Sequence, residues 1–454
     1  MRKICDLSPQ QVAVAGFIKA GEDSLVAADV GTGKTVITLT ATYENDDIRW
    51  LVLAPLLVAT DTWPKEPPQW EHLRHVSLDV ACGDEQDRID AIESGAQFVT
   101  MNYENLAWLM QKYPKGKLPF NGLICDEIDK LKSVSSDRFK KFRNRIGEFK
   151  RRIGLTGTLI PNDLTELWGQ VYMVDGGQSF GRSFYEWRKK YFYPTDFNQY
   201  TWKPFESTQD KLISEIADIT YRLAADGLPE VVFHEPDKLT MNRAQLVVYG
   251  ELEKHYYAEI KGHEIDVDSA GVLVGKLQQI TAGFSYVGPK NRRVAIWHND
   301  AKFNWLQDKL TEIGEKQVLI FYHFNEELEQ LRRVIPGLRY IGRGVSNKTA
   351  LGHIDRWNAG ELPVLALHPA SAGHGLNLQL SGCQDMIFTT LPWSGGLLKQ
   401  SIGRLARRGQ PHDKVYVHTA VFDDSIDLAV HSGLTGKSAT MANFLNALEA
   451  GTTD

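Results

Sequence analysis

Ala-Asp-Val-Gly-Thr-Gly-Lys-Thr, residues 28–35, decides how the rest of the chain is read. An apolar run, Ser24 to Ala28, precedes it and fits a buried strand, and Val36 to Thr42 behind it can open a helix. A strand, a glycine-rich turn, then a lysine and a hydroxyl at a helix start form a phosphate cradle. The N–H groups of the turn (Gly31, Thr32, Gly33) and the positive end of the helix dipole face the anion. In that arrangement Lys34 reaches the β- and γ-phosphates, and the Thr35 hydroxyl ligates magnesium. The string alone arises by chance in about one chain of this length in thirty. Its weight comes from the ordered motifs downstream of it.

The chain alternates from there on. Short aliphatic or β-branched runs at Ser24–Ala28, Trp50–Ala54, Val76–Ala81, Gln97–Met101, Gly122–Cys125 and Arg152–Thr156 are separated by helical stretches. A second series begins near Lys302, with candidate strands Gln317–Tyr322, Arg339–Gly342, Val364–Leu367, Met386–Thr389 and Val415–Val421. Such alternation is the signature of parallel sheets covered by helices. Residues 175–299 are rich in aromatics and charge and read as mostly helical. The expected fold class is α/β: one lobe over 1–174, a helical insertion and linker over 175–299, and a second lobe over 300–454.

Asp126-Glu127 follows the apolar run Gly122–Cys125, which puts both carboxylates at the C-terminal end of a strand, where open α/β sheets bind their ligands. Magnesium needs a hard anionic oxygen beside the threonine of the phosphate loop, and Asp126 can supply it. Hydrolysis needs a carboxylate to orient and deprotonate water, and Glu127 is the natural candidate.

Composition narrows the class. A net charge of −6 argues against wholesale coating of nucleic acid but permits a local basic groove. Cys5, Cys82, Cys125 and Cys383 are scattered without a Cys-x-x-Cys pair, so neither a zinc site nor a disulfide framework is indicated. His368 and His374 near Cys383 match no ligand spacing. No signal peptide and no apolar run of membrane-spanning length are visible. The expectation is a soluble cytoplasmic protein without membrane contact, and its module-free build points to a bacterium or a phage-infected cell.

Leu7-Ser-Pro-Gln-Gln11, the phosphate loop, Asp126-Glu127-Ile-Asp129, Leu155-Thr-Gly-Thr158 and Gln400-x2-Gly-Arg404-x2-Arg407 stand in one order. That order resembles the superfamily 2 helicase-like ATPases. Finer strings resemble the Swi/Snf-type branch of double-stranded DNA translocases: Trp63-x2-Glu66-x3-Trp70, Leu-Thr-Gly-Thr-Leu-Ile-Pro-Asn at 155–162, and Val318-Leu-Ile-Phe321. Asp129 departs from that branch, which usually has histidine there. Ser371-Ala-Gly-His-Gly-Leu-Asn-Leu378 is one residue shorter than in remodellers and is more similar to annealing helicases.

The resemblance implies ATP and Mg2+ between two RecA-like lobes. Gln11 would read the adenine edge. Lys34, Thr35, Asp126 and Glu127 would act from the first lobe, and Gln400, Arg404 and Arg407 from the second, the two arginines as fingers. If their segment is helical, Arg404 and Arg407 share a face. Duplex DNA would be gripped without sequence preference by Thr156, Thr158, Gly373 and Asn377.

Two further features are open to more than one reading. Arg138 to Arg152 holds eight basic residues against one acid, with Lys140 and Lys141 as candidate DNA contacts or a solvated helix face. Phe184-Tyr185-x-Trp187 and Tyr191-Phe192-Tyr193, with Tyr200 and Trp202, could stack on bases but fit better as a small core. The leading expectation is a DNA-stimulated ATPase that moves on duplex DNA. The alternatives are a helicase separating DNA or RNA strands, the motor subunit of a restriction or defence complex, a DNA-binding scaffold with a dead ATPase, and a metabolic phosphate-loop kinase. Intact motifs argue against the scaffold, and the second lobe argues against the kinase.

Overall fold

The computed structural model describes residues 1–434 apart from 30, 158, 160–163, 197–198, 200, 224–226, 256, 261–262, 267–269, 289–291 and 373–375. It divides into two compact units, one built on Met1–Gly227 and one on Leu228–Gly373 and Asn377–Asp454.

In the first unit seven strands form one sheet: β1 (Asp23–Ala28), β2 (Trp50–Ala54), β3 (Leu78–Val80), β4 (Phe98–Asn102), β5 (Gly122–Asp126), β6 (Arg151–Thr156) and β7 (Thr220–Leu223). Their order is β3-β4-β2-β5-β6-β1-β7, and every pairing is parallel. β2, β4 and β5 are buried along their whole length. Side chains alternate between two cores, because successive strand residues face opposite ways. Leu51, Leu53, Leu123 and Cys125 enter one core, while Trp50, Val52, Ala54 and Ile124 enter the other. Burying each large aliphatic side chain is worth about 1.5–3 kcal/mol, so strands covered on both faces must read as unbroken apolar runs. That is how they were visible in the sequence.

β6 lies between β1 and β5, with Ala27 opposite Thr156 and Leu155 opposite Asp126. The strand order therefore brings the phosphate loop, Thr156 and Asp126 out at one edge of the sheet. The ends of β1 and β5 stand about 10 Å apart, two strand spacings.

The second unit repeats the plan with β8 (Glu230–Phe233), β9 (Asp237–Leu239), β10 (Val318–Phe321), β11 (Arg339–Ile341), β12 (Val364–Leu367), β13 (Asp385–Phe388) and β14 (Lys414–Phe422). The order is β8-β14-β13-β10-β12-β11, again all parallel, and the nine-residue β14 pairs with β8 at one end and β9 at the other. A buried ion pair braces this unit. Lys302 Nζ lies 2.7 Å from Asp427 Oδ2, and the Thr281 hydroxyl donates to Asp427 Oδ1 at 2.7 Å.

Residues 175–299 carry more strand than expected. Besides the helices Phe184–Tyr191, Thr208–Glu215, Arg243–His255 and Ala270–Thr281, they supply β7, β8, β9 and three two-stranded antiparallel ribbons. These strands are three or four residues long, too short for a period of two to declare itself against a helical background.

Candidate functional site

Helix α1 (Pro9–Ala20) begins with Ser8, whose hydroxyl accepts the Gln11 N–H while Gln11 Oε1 accepts the Ser8 N–H. This reciprocal cap fixes the Gln11 amide. Its Nε2 donates to the Thr32 carbonyl at 2.8 Å, so Gln11 holds the phosphate loop from below. Gly31 and Gly33 have φ of 83° and 84°. A Cβ on Gly33 would come within 2.6 Å of Gln11 Nε2, so this position needs glycine for both its backbone and its closeness. Gly33 caps helix α2 (Lys34–Thr42). Lys34 Nζ donates to the carbonyls of Ala28 and Asp29 at 2.9 and 3.3 Å, and Thr35 comes next, half-buried, in the first turn.

Asp126 ends β5 with 5% of its surface exposed. Burial pushes its carboxyl up to about 6, and the adjacent Glu127 charge pushes the same way, against Lys34 and the Trp63 hydrogen bond. Lys34, Asp126 and Glu127 thus share one electrostatic neighbourhood. Trp63 Nε1 donates to Asp126 Oδ2 at 2.9 Å, and the Tyr103 hydroxyl donates to the Asp126 carbonyl at 2.9 Å. Glu127 takes a left-handed backbone (φ 58°), which turns the chain sharply off the strand. A non-glycine residue holds that geometry only where its surroundings impose it. A carboxylate and a threonine hydroxyl are hard oxygen donors of the kind magnesium takes, so the residues present fit that ion.

Thr156 closes β6, buried, at the same edge. Thr158 and Gly373 lie outside the described residues. Asn377 is exposed, and its carbonyl accepts from Asn358 Nδ2 at 2.8 Å.

In the second unit the helix Gly395–Ile402 carries Gln400 and stops before the arginines. Arg404 and Arg407 sit on successive turns, so the shared helical face does not exist. Gly403, which caps the helix, ends it. Arg404 is 2% exposed and Arg407 half-buried. Gln410 Nε2 donates to the carbonyls of Cys383 and Leu405 and fastens this turn to the sheet.

The basic run divides into two kinds of residue. Arg145 is buried and donates to Glu148 and to the carbonyls of Tyr113 and Pro114. Arg152 makes a bidentate pair with Asp23 at 2.9 and 2.7 Å, and Arg151 donates to the Gly21 and Ile18 carbonyls. Lys140, Lys141 and Lys150 are exposed. In the aromatic segment Trp187, Tyr191 and Phe192 are buried in the first core and Phe184 packs against it. Tyr185 and Tyr193 face outward, and Tyr200 lies outside the described residues. His368 Nδ1 accepts the Ala370 N–H, leaving Nε2 to donate to the His323 carbonyl, and Cys383 donates to the Gln317 carbonyl. His374 lies outside the described residues.

The chain matches the SNF2-related domain over residues 13–276 and the helicase conserved C-terminal domain over 301–409. It belongs to the SNF2-related family. It is a helicase-like ATPase of superfamily 2. Protein p41 of Acyrthosiphon pisum secondary endosymbiont phage 1 is 31% identical over 97% of this chain and 98% of its own. The chromodomain-helicase-DNA-binding protein 3 homolog of Caenorhabditis elegans is 25% identical over 91% of this chain. There the chain spans only 25% of the relative's length. The SWI2/SNF2 ATPase core of Sulfolobus solfataricus, solved with double-stranded DNA, is 19% identical over 96% of this chain with a TM-score of 0.43. Among the described residues no helix of this SNF2-related ATPase is long and apolar enough to cross a membrane.

Two contacts at the candidate site escaped the sequence: Trp63 and Tyr103 on Asp126. Buried Trp and Tyr usually find a partner for their polar atom, but no local pattern says which carboxylate or carbonyl it will be.

Proposed function

We propose that this SNF2-related ATPase is a DNA-stimulated motor that converts MgATP hydrolysis into movement along, or remodelling of, duplex DNA. The observation that carries the reading is the joining of the Lys34 loop and the Asp126-Glu127 strand end at one sheet edge, in a chain that also matches the helicase C-terminal domain. Relatives named as DNA repair and recombination proteins, RAD54-like, and as a chromodomain-helicase-DNA-binding homolog support DNA as the track. The working division is 1–174 and 300–454 as motor lobes around 175–299.

Lys34 and the N–H groups of Gly31, Thr32 and Gly33 hold the phosphates. Thr35 and Asp126 would hold Mg2+, which supplies charge neutralisation across the β- and γ-phosphates when bound. Glu127 orients a water and accepts its proton as the oxygen attacks the γ-phosphorus, whose bond to the β–γ bridging oxygen breaks so that ADP leaves. Gln11 reads the adenine edge, Arg404 and Arg407 serve as arginine fingers, and Gln400 belongs to the same motif. Thr156, Thr158, Gly373 and Asn377 grip the phosphate backbone, with Lys140 and Lys141 adding salt-sensitive attraction.

The test is steady-state ATP hydrolysis without nucleic acid and with duplex DNA, single-stranded DNA or RNA, using Lys34→Ala as the blank. Strong stimulation by duplex is expected. Stimulation only by single strands or RNA would replace the proposal with a strand-separating helicase, and turnover retained in Lys34→Ala would overturn the site itself.

A further inference from the structure

Trp63 meets the carboxylate that ends β5. The chain leaves β2 through Pro55 and makes a π-type turn, Val58–Thr62, closed by the Trp63 N–H on the Val58 carbonyl. Such turns take one more residue than an α-turn and recur at functional positions. Here the Thr100 hydroxyl pins the turn to β4 by donating to the Ala59 carbonyl at 2.8 Å. The extra residue swings the Trp63 side chain under the sheet edge, where it is fully buried and its indole N–H meets Asp126 Oδ2. The same short segment shows Leu56 and Lys65 to solvent. Tyr103 fixes the Asp126 peptide from the other side through its carbonyl. One carboxylate oxygen is therefore committed to an aromatic donor on the segment that follows β2.

We propose that Trp63 is a positioning residue: its indole N–H sets the orientation of the Asp126 carboxylate toward the divalent cation. The inference rests on the functional reading above, in which Asp126 is a metal ligand. Groups that orient a metal ligand through a hydrogen bond typically change metal affinity by about 10–100-fold when removed. The indole also fills space, so truncation confounds packing with hydrogen bonding.

The deciding variant is therefore the full chain with benzothienylalanine at position 63, which keeps the two-ring shape and replaces the N–H by sulfur. Trp63→Phe is the companion variant. The measurement is Mn2+ affinity in the presence of ADP, read by electron paramagnetic resonance. The isostere is expected to bind Mn2+ about tenfold more weakly, and Trp63→Phe to do the same. Wild-type Mn2+ affinity in the isostere would overturn the assignment. Failure of the wild-type chain to take up Mn2+ with ADP would overturn the functional reading, and the inference with it. Uptake by the wild type that the isostere matches would overturn the inference alone.

Discussion

Replacing Asp129 by asparagine removes a carboxyl that burial, and next the charge of Glu127, push from its ordinary 3.8 up to about 6. Its Oδ1 is buried and has no hydrogen-bond partner in the structure. An acid whose folded value lies above its unfolded one binds protons more tightly in the folded state. Stability is therefore fully present below about pH 4 and falls as pH rises through 6. The two values differ by about two pH units, and at about 1.4 kcal/mol each the loss approaches 3 kcal/mol above pH 7. Asparagine cannot ionise. It carries a constant cost for its own buried amide, but it does not follow the same pH course. The gap between Asp129→Asn and wild type should therefore move in favour of the variant by about 3 kcal/mol between pH 4 and pH 7.5. For a unit of this size that is about 6–12 °C in thermal midpoint. Calorimetry of both proteins across that range is the assay. Parallel curves, with a gap that does not change with pH, would refute the argument that Asp129 is a buried charge.

Arg407→Ala should keep nucleotide affinity within a few-fold while turnover falls by roughly 10³; single-turnover assays and nucleotide titration separate the two, and unchanged turnover removes Arg407 from the fingers. Arg152→Leu leaves Asp23 buried without its partner and should cost about 3–5 kcal/mol, lowering the first unit's thermal midpoint by about 10 °C. A loss below about 3 °C would show that the pair is dispensable. The double change Lys140→Glu and Lys141→Glu should weaken duplex binding and reduce the slope of log affinity against log salt by about two. An unchanged slope would make those lysines plain surface.

Much of the fold was legible because both sheets are buried on two faces. Runs such as Trp-Leu-Val-Leu-Ala at 50–54 and Gly-Leu-Ile-Cys-Asp at 122–126 have no other use. The phosphate loop and the carboxylates at the end of β5 were legible with them, since they interrupt those runs with the wrong chemistry for a core. Thr-Tyr-Arg-Leu at 220–223 and Asp-Lys-Leu at 237–239 were missed, being short and of mixed polarity. They become strands because a neighbouring edge offers backbone partners. The basic run stayed open to two readings for a related reason. A formal charge count cannot tell Arg145 and Arg152, spent on buried carboxylates and carbonyls, from Lys140 and Lys141, which face water. The hydrogen bond from Trp63 to Asp126 joins residues 63 apart in sequence and leaves no local trace.

The place of β14 has a consequence in time. It is the last strand of its sheet to be synthesised, yet it is the neighbour of β8, the first. Glu230–Phe233 must wait for Lys414–Val417, 184 residues later, before its backbone finds those partners. At about 5–20 residues per second, that is roughly 10–40 s of synthesis. Asp427, the partner of buried Lys302, emerges later still. The first unit closes far sooner, because β7, its final strand, is complete at Leu223. A ribosome making this ATPase therefore carries a finished phosphate loop for many seconds beside a second sheet that cannot yet close, and it is during that interval that chaperones have apolar strands to hold.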